Sequence, residues 1–282
     1  MKKNFLIQIV LVLAVLFIII FLYLQPKTVL ESDIVDSQNV QQVDENSFYE
    51  FLISEADKYG EEVINYNNTL LENIEKNSDI KDSVKLNYNR LIQFWEMNNF
   101  APLISYYEEQ LLYFLNGEVD SLYFADEYFD ASRGVSEELK TELFKKSILY
   151  YQSVDQDSLD SDRLMNYAIC LVESGSNPMQ GIGILNNIAQ KEPENYKVQL
   201  NLGYFSVKSG QFDKAESRFL KVLEINPDFS EAYLYLGDVA ETIKDYDKAI
   251  EYYTKYKNTL SNQKIAEEVE KYINQIKVKK KN

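Results

Sequence analysis

The sequence predicts an all-α fold, a solenoid of antiparallel helical hairpins behind one apolar N-terminal helix. Three observations predict it. Landmarks in the stretch Tyr196 to Phe229 return thirty-four residues later, Gly203 as Gly237, Phe212 as Tyr246, Ala215 as Ala249 and Phe219 as Tyr253. A fixed period of this length marks stacked hairpins, each too small to bury its own apolar face. Apolar residues elsewhere recur at steps of three and four, and no turn dipeptide flanked by alternating apolar residues signals a strand. Residues 5–24 form one apolar run.

That run, FLIQIVLVLAVLFIIIFLYL, is interrupted only by Gln8 and as a helix is long enough to cross about 30 Å of hydrocarbon. A cleaved signal peptide has a shorter apolar core, roughly 7 to 15 residues, and a small-residue cleavage site that Leu22-Tyr23-Leu24-Gln25 does not offer. An uncleaved single-pass anchor is expected. Lys2 and Lys3 precede it, whereas Lys27 on the far side is soon followed by Glu31, Asp33 and Asp36. The positive-inside rule then puts residues 1–4 in the cytoplasm and the bulk of the chain beyond the cytoplasmic (inner) membrane, in a periplasm or its equivalent. Residues 25–46 carry Ser, Asp, Gln and Asn with no sustained apolar stripe and are expected to be a tether.

Residues 47–158 are expected to be a degenerate helical region. Ser47-x-x-Glu50 is a capping-box pattern, and Phe48, Phe51, Leu52, Ala56 and Tyr59 share a face up to Gly60. Val63, Leu70, Leu71 and Ile74 form a second stripe. From Ile80 to Asn98, Val84, Tyr88, Leu91, Ile92 and Trp95 lie on one face, and Phe100 to Leu115 repeats the period after a very short connection, which implies an antiparallel pair. Asp120 to Asp130 and Ser136 to Tyr151 make another pair, joined around Arg133-Gly134.

Three repeats are expected over residues 162–260, at 162–195, 196–229 and 230–260. In the first, Asn177-Pro178 supplies an N-cap followed by Pro at the first helical position, where its missing N–H costs nothing. Gly181 and Ala215 fall where the two helices of a hairpin cross. Residues 261–278 carry Ile265, Val269, Tyr272, Ile273 and Ile276 on one stripe and are expected to cap the stack. Leu202-Gly203, Ala215, Phe219 and Pro227, with their second copy at Leu236-Gly237, Ala249 and Tyr253, resemble the tetratricopeptide repeat (TPR) pattern. The first copy in the chain is worn, with Ala168-Ile169 for Leu-Gly, Gly181 for Ala and Leu185 for Phe.

The composition excludes more than it suggests. With 29 Lys+Arg against 45 Asp+Glu the net charge is −16, which repels nucleic acid, and no such partner is expected. One cysteine and no histidine leave no internal disulfide, no His-based catalysis and a poor choice of zinc ligands. Cys170 is expected to be a buried apolar residue. Asp155, Asp157, Asp160 and Asp162 fail the calcium-loop pattern and read as a loop with Asp162 or Ser161 as the next helix cap. Gly181-Ile-Gly183 follows no strand and reads as helix packing, not as a phosphate loop. The doublets Glu61-Glu62, Glu108-Glu109, Glu137-Glu138 and Glu267-Glu268 are expected on solvated faces, and the lysines from Lys277 to Lys281 on a frayed end. No catalytic residue, metal or cofactor is expected, and the chain is not expected to be an enzyme.

The resemblance implies that the first helix of each hairpin lines a concave groove that holds a protein or peptide partner. The groove positions it implies are Arg163, Asn166, Tyr167, Cys170 and Glu173, then Lys197, Leu200, Asn201, Tyr204 and Lys208, then Glu231, Leu234, Tyr235, Asp238 and Glu241. The family's clamp for C-terminal carboxylates is matched only at Asn201, since Asn166, Cys170, Glu231 and Tyr235 stand at its other positions. Tyr204 and Tyr235 point to an amphipathic contact, with rings for area and hydroxyls for direction. The architecture resembles membrane-anchored bacterial TPR scaffolds that assist envelope assembly, secretion or cell division. Self-association through the aromatic-rich segment from Trp95 to Tyr151, or a hydrolase using two carboxylates, are the alternatives.

Overall fold

The computed structural model describes residues 44–280. The expected cytoplasmic segment 1–4, anchor 5–24 and all but the last residues of the tether lie outside the described residues, as does Lys281. Among the described residues no helix is long and apolar enough to cross a membrane.

The described residues form thirteen α-helices and no strand. They are α1 (Glu45–Ala56), α2 (Glu61–Lys76), α3 (Lys81–Met97), α4 (Ala101–Phe114), α5 (Ser121–Ala131), α6 (Glu137–Gln152), α7 (Ser161–Glu173), α8 (Pro178–Lys191), α9 (Tyr196–Lys208), α10 (Phe212–Ile225), α11 (Glu231–Thr242), α12 (Tyr246–Thr259) and α13 (Gln263–Lys279). From α3 onward they pair as hairpins, α3 with α4 through to α11 with α12, and α13 packs on α12.

Side-chain caps set most helix starts, satisfying N–H groups that have no partner within the helix. Asp120 accepts from the N–H groups of Leu122 and Tyr123, Ser136 from Leu139, Asn177 from Gln180 and Asn195 from Val198. Two starts differ from expectation. Asp44 caps α1 by accepting from Asn46 N–H and from the Ser47 hydroxyl, so the helix begins inside the expected tether and Ser47 serves the cap from its first turn. Asp160 caps α7 by accepting from Arg163 N–H at 2.8 Å, in place of Ser161 or Asp162.

The hairpins cross on small residues. A methyl group on Gly203 would lie 2.6 Å from the Phe219 ring, and one on Gly237 would lie 2.5 Å from the Tyr253 ring. The thirty-four-residue echo therefore repeats one contact, with a glycine on the first helix under an aromatic ring on the second. In the worn repeat the relation is reversed, because Gly181 on α8 meets the backbone oxygen of Ala168 on α7. Met165, Ala168, Leu185, Ile188, Val198, Leu202 and Phe205 fill the core from α7 to α9. Ala215, Phe219, Leu236 and Val239 continue it, and Ala240, Ala249, Tyr253, Ile273 and Ile276 close it under α13.

The N-terminal helices are knitted by polar groups the sequence pattern hides. Helix α1 returns across α4, α5 and α6, with the Phe48 ring 6.1 Å from Tyr106 and 5.9 Å from Tyr128. Asn67, fully buried on α2, accepts from Trp95 Nε1 at 2.9 Å and from the Tyr107 hydroxyl at 2.8 Å, and donates to the Tyr49 hydroxyl at 3.2 Å. Glu109 is a correction to the solvated-face reading of the doublets, because it is 2% exposed. Both its oxygens lie 3.2 Å from Lys146 Nζ, and the hydroxyls of Tyr128 and Tyr150 donate to it. Lys146 also donates to Glu45 of α1 at 2.6 Å, across 101 residues of sequence. Each lone pair and proton of this buried pair is thus spoken for, which is the condition for an ion pair to survive desolvation.

Of the rings in the segment Trp95 to Tyr151, the alternative surface for self-association, Tyr113 and Tyr123 are 52% and 43% exposed, whereas others are turned inward. Trp95, Tyr107, Tyr128 and Tyr151 are all at 0% exposure. The capping helix differs from expectation in part, since Ile273 and Ile276 are buried while Ile265 and Tyr272 are 45% and 40% exposed. Nor do the described lysines at the C-terminal end fray, because Lys279 bonds Glu241 of α11 at 2.8 Å and Lys280 pairs with Asp247 of α12.

Candidate protein-binding face

The first helices of the hairpins, α5, α7, α9 and α11, form a row that α13 extends. Ion pairs mark the steps along it. Asp126 of α5 bonds Arg163 of α7 at 2.9 Å, Asp162 of α7 bonds Lys197 of α9 at 3.2 Å, and Glu173 of α7 bonds Lys208 of α9 at 2.6 Å. Glu241 of α11 bonds Lys279 of α13 at 2.8 Å. In each case the earlier helix supplies the acid and the later one the base. These partners stand 35 to 38 residues apart, one repeat plus the turn of helix that the side chains span. Exposed pairs of this kind add little stability each, but together they fix the register of neighbouring hairpins.

One step lacks such a pair. Helix α9, YKVQLNLGYFSVK, contains no acid, and its two lysines turn back to α7. Facing α9, the α11 positions one repeat beyond Lys197 and Lys208 are Glu231 and Thr242. Among the described residues no ion pair joins α9 to α11. What occupies the step is aromatic and acidic. Tyr204 is 49% exposed, with Lys208 Nζ 5.7 Å over its ring. Tyr235 is half-buried against Phe219 at 5.3 Å, and burial, with Tyr204 and Glu231 nearby, raises its hydroxyl pKa. Glu231 is exposed, and Asp238 accepts from the Tyr253 hydroxyl at 2.6 Å. Glu241 is partly desolvated, yet Lys279 and the Tyr272 hydroxyl hold its carboxyl below the usual range.

The structure sorts the groove positions implied by the resemblance. Lys197, Tyr204, Lys208, Glu231 and Asp238 are exposed, and Arg163, Asn166, Glu173, Leu200, Asn201, Leu234 and Tyr235 are partly so. Tyr167 and Cys170 are corrections, because both are at 0% exposure. The hairpin α5–α6 covers that side of α7, with the Tyr151 ring 5.7 Å from Tyr167 and the Ser147 hydroxyl 3.5 Å from Cys170 Sγ. Burial pushes the Cys170 thiol up to about 12. A carboxylate clamp has no access there. Asn201, the one residue matching that clamp, spends its amide on the Lys197 carbonyl and Met165 Sδ, at 2.9 and 3.5 Å. Asp126 and Asp162 join the row through these ion pairs although neither stands at a groove position that the resemblance implies. Asp162 does carry a readable signal, since it lies 35 residues before Lys197 and has the opposite charge.

Residues 200–263 match the tetratricopeptide repeat family. No curated protein matches the chain significantly. Among solved structures, MamA MSR-1 is 19% identical over 58% of this chain and 90% of its own, with a TM-score of 0.43. MamA AMB-1 is 20% identical over 57% of this chain and 84% of its own, also at 0.43. YrrB, a TPR protein with an unusual peptide-binding site, is 17% identical over 72% of this chain and 97% of its own, at 0.40. Both glycine-under-ring crossings, Gly203 with Phe219 and Gly237 with Tyr253, lie within the matched residues 200–263 and recur at the thirty-four-residue spacing of that family, so this part of the chain carries tetratricopeptide repeats.

Proposed function

We propose that the chain is a membrane-tethered scaffold that holds a segment of a protein partner on the α7, α9 and α11 face, centred on Tyr204 and Tyr235. The observation that carries this reading is the α9–α11 step. Neighbouring helices elsewhere in the row are joined by ion pairs, whereas here two tyrosine rings, one of them half exposed, are left beside acidic side chains. Such a surface suits an amphipathic segment that brings an apolar side chain to the rings and a basic one to Glu231 or Asp238. Repeat solenoids use the surface formed by successive repeats in this way. The apolar run 5–24 supplies the tether to the cytoplasmic membrane, and Lys2 and Lys3 favour an orientation with the repeats outside the cytoplasm. A role in envelope assembly, secretion or division belongs to the same reading.

Photo-crosslinking in cells tests it. A crosslinking side chain at position 204 or 235 is expected to trap one discrete partner, and one at exposed Glu251 on α12 is expected to trap none. Equal trapping from position 251 rules the face out.

A further inference from the structure

A cleft of opposite character adjoins the α9–α11 face and shares Lys208 with it. It opens between α8 and the α9–α10 hairpin, with a volume of about 610 Å³. Val172, Ile182, Leu202 and Phe205 give it an apolar floor, and Met179 stands at its edge, 82% exposed. Lys208, Lys214 and Arg218 line it with no acidic residue among the lining. In a chain of net charge −16, an acid-free cleft with three cations departs from the rest of the surface.

The cations differ in what they already hold. Lys208 is paired with Glu173. Lys214 and Arg218 form no ion pair among the described residues. Lys214 donates to Gln211 Oε1 at 2.6 Å. Arg218 is partly buried, and its guanidinium is held by neutral acceptors, Gln199 Oε1 at 2.6 Å and Asn186 Oδ1 at 3.4 Å. Two amide oxygens fix the plane of the guanidinium without neutralising it. Its other side faces a depression that Asp213, Glu216 and Glu224 also line, yet none of them pairs with it. A fixed, unpaired guanidinium beside apolar surface suits a planar anion, because the fork meets a carboxylate with two donors and the apolar wall strengthens the attraction.

We propose that this cleft is a second binding site, for a peptide segment with an apolar side chain flanked by carboxylates. The apolar side chain seats on Leu202 and Phe205, and the carboxylates meet Arg218 and Lys214. A peptide fits better than a free acyl chain. The hydroxyls of Ser206 and Ser209 give their protons to the Leu202 and Phe205 carbonyls and so present oxygen acceptors that suit peptide N–H groups, and the volume lies within the range of sites for a few side chains. The site shares Lys208 with the α9–α11 face but neither Tyr204 nor Tyr235, and it is basic where that face is acidic.

The test uses the full chain in neutral detergent and the fluorescein-labelled peptide Glu-Asp-Leu-Phe-Asp-Glu, read by fluorescence anisotropy. Saturable binding that weakens with salt is expected, along with no binding of the same peptide carrying Lys in place of each acid. Lys214→Glu and Met179→Asp both change exposed side chains and should leave the thermal unfolding curve in place, and each should weaken binding about tenfold or more. Lys214→Glu with Arg218→Glu should abolish it. Tyr204→Ala with Tyr235→Ala should leave it unchanged, which separates this site from the other face. Unaltered affinity in Lys214→Glu and Met179→Asp, equal binding of the lysine peptide, or loss of binding in the tyrosine variant would each overturn the proposal. So would displacement of the peptide by oleate at lower concentration than by unlabelled peptide.

Discussion

Gly237 lies beneath the ring of Tyr253 as Gly203 lies beneath that of Phe219, and neither site has room for a methyl group. Tyr253 is also pinned by its hydroxyl bond to Asp238 at 2.6 Å, so its ring cannot swing aside freely. Gly181 is the least yielding case, because the atom in the way is the backbone oxygen of Ala168. Gly183, two residues along the same helix, faces open space. Gly181→Ala and Gly237→Ala should therefore destabilise by about 1 to 3 kcal/mol through overpacking. Gly183→Ala should instead stabilise by roughly 0.5 to 1 kcal/mol, the helix-propensity gain with no clash to offset it. Urea unfolding followed by circular dichroism separates the signs.

The hairpin turns give a second comparison between repeats. Gly210 ends α9 with φ of 71°, and Lys244, thirty-four residues on, takes φ of 63°. That left-handed region is natural for glycine and costs other L-residues roughly 1 to 2 kcal/mol. Lys244→Gly should stabilise the chain by about 0.5 to 1 kcal/mol once the extra entropy of glycine in the unfolded chain is subtracted, and Gly210→Lys should lose a similar amount. A higher urea midpoint for Lys244→Gly at unchanged slope is the expected result.

The buried pair Glu109–Lys146 sets a third expectation. Lys146→Met strands Glu109 among the Tyr128 and Tyr150 hydroxyls in a site with 2% exposure, and leaving one buried charge unpaired costs about 3 to 5 kcal/mol. Adding Glu109→Gln to Lys146→Met should recover most of that loss, because the stranded charge is gone and the amide oxygen still accepts from a tyrosine. If the double variant is as unstable as Lys146→Met alone, the cost lies in packing around Phe48 and not in the charge.

These three cases show what the sequence makes legible. The hairpins from α7 to α12 follow from short-range rules, since the glycines, the rings and the capping Asn177 and Asn195 recur at fixed spacing and act within one or two turns of helix. The amphipathic helices α3 to α6 are legible for the same reason. Contacts set by the fold across long separations are not. Glu109 looks like any surface acid beside Glu108, and only the return of α1 across α4 and α6 turns it into a buried ion. The candidate face is legible in the same uneven way. The exposed Tyr204 and Glu231 and the half-buried Tyr235 lie where a repeat exposes its first helix, but Tyr167 and Cys170 are covered by α5–α6, a hairpin whose stacking the worn pattern before Asp162 does not specify.

Cys170 allows the burial of that side of α7 to be tested chemically. Alkylation requires the thiolate, and burial has raised the thiol from its ordinary value to about 12. The shift is upward for an acid, so at pH 8 the native state holds far less thiolate than the unfolded chain, and the neutral Sγ is further shielded at 0% exposure. Iodoacetamide at pH 8 should leave the native full chain unmodified over the time in which the urea-unfolded chain reacts completely. Raising the pH to 9 should speed labelling of the unfolded chain while the native chain stays inert, because 9 is still well below the folded-state value. Weakening the α5–α7 contact by Asp126→Ala, which removes the ion pair to Arg163 and the Tyr151 hydroxyl bond at 2.6 Å, should open the site and raise the native labelling rate at either pH. Rapid labelling of the native wild-type chain at pH 8, read by intact mass, would show instead that α5–α6 does not cover Cys170, and the groove on α7 would then extend to Tyr167.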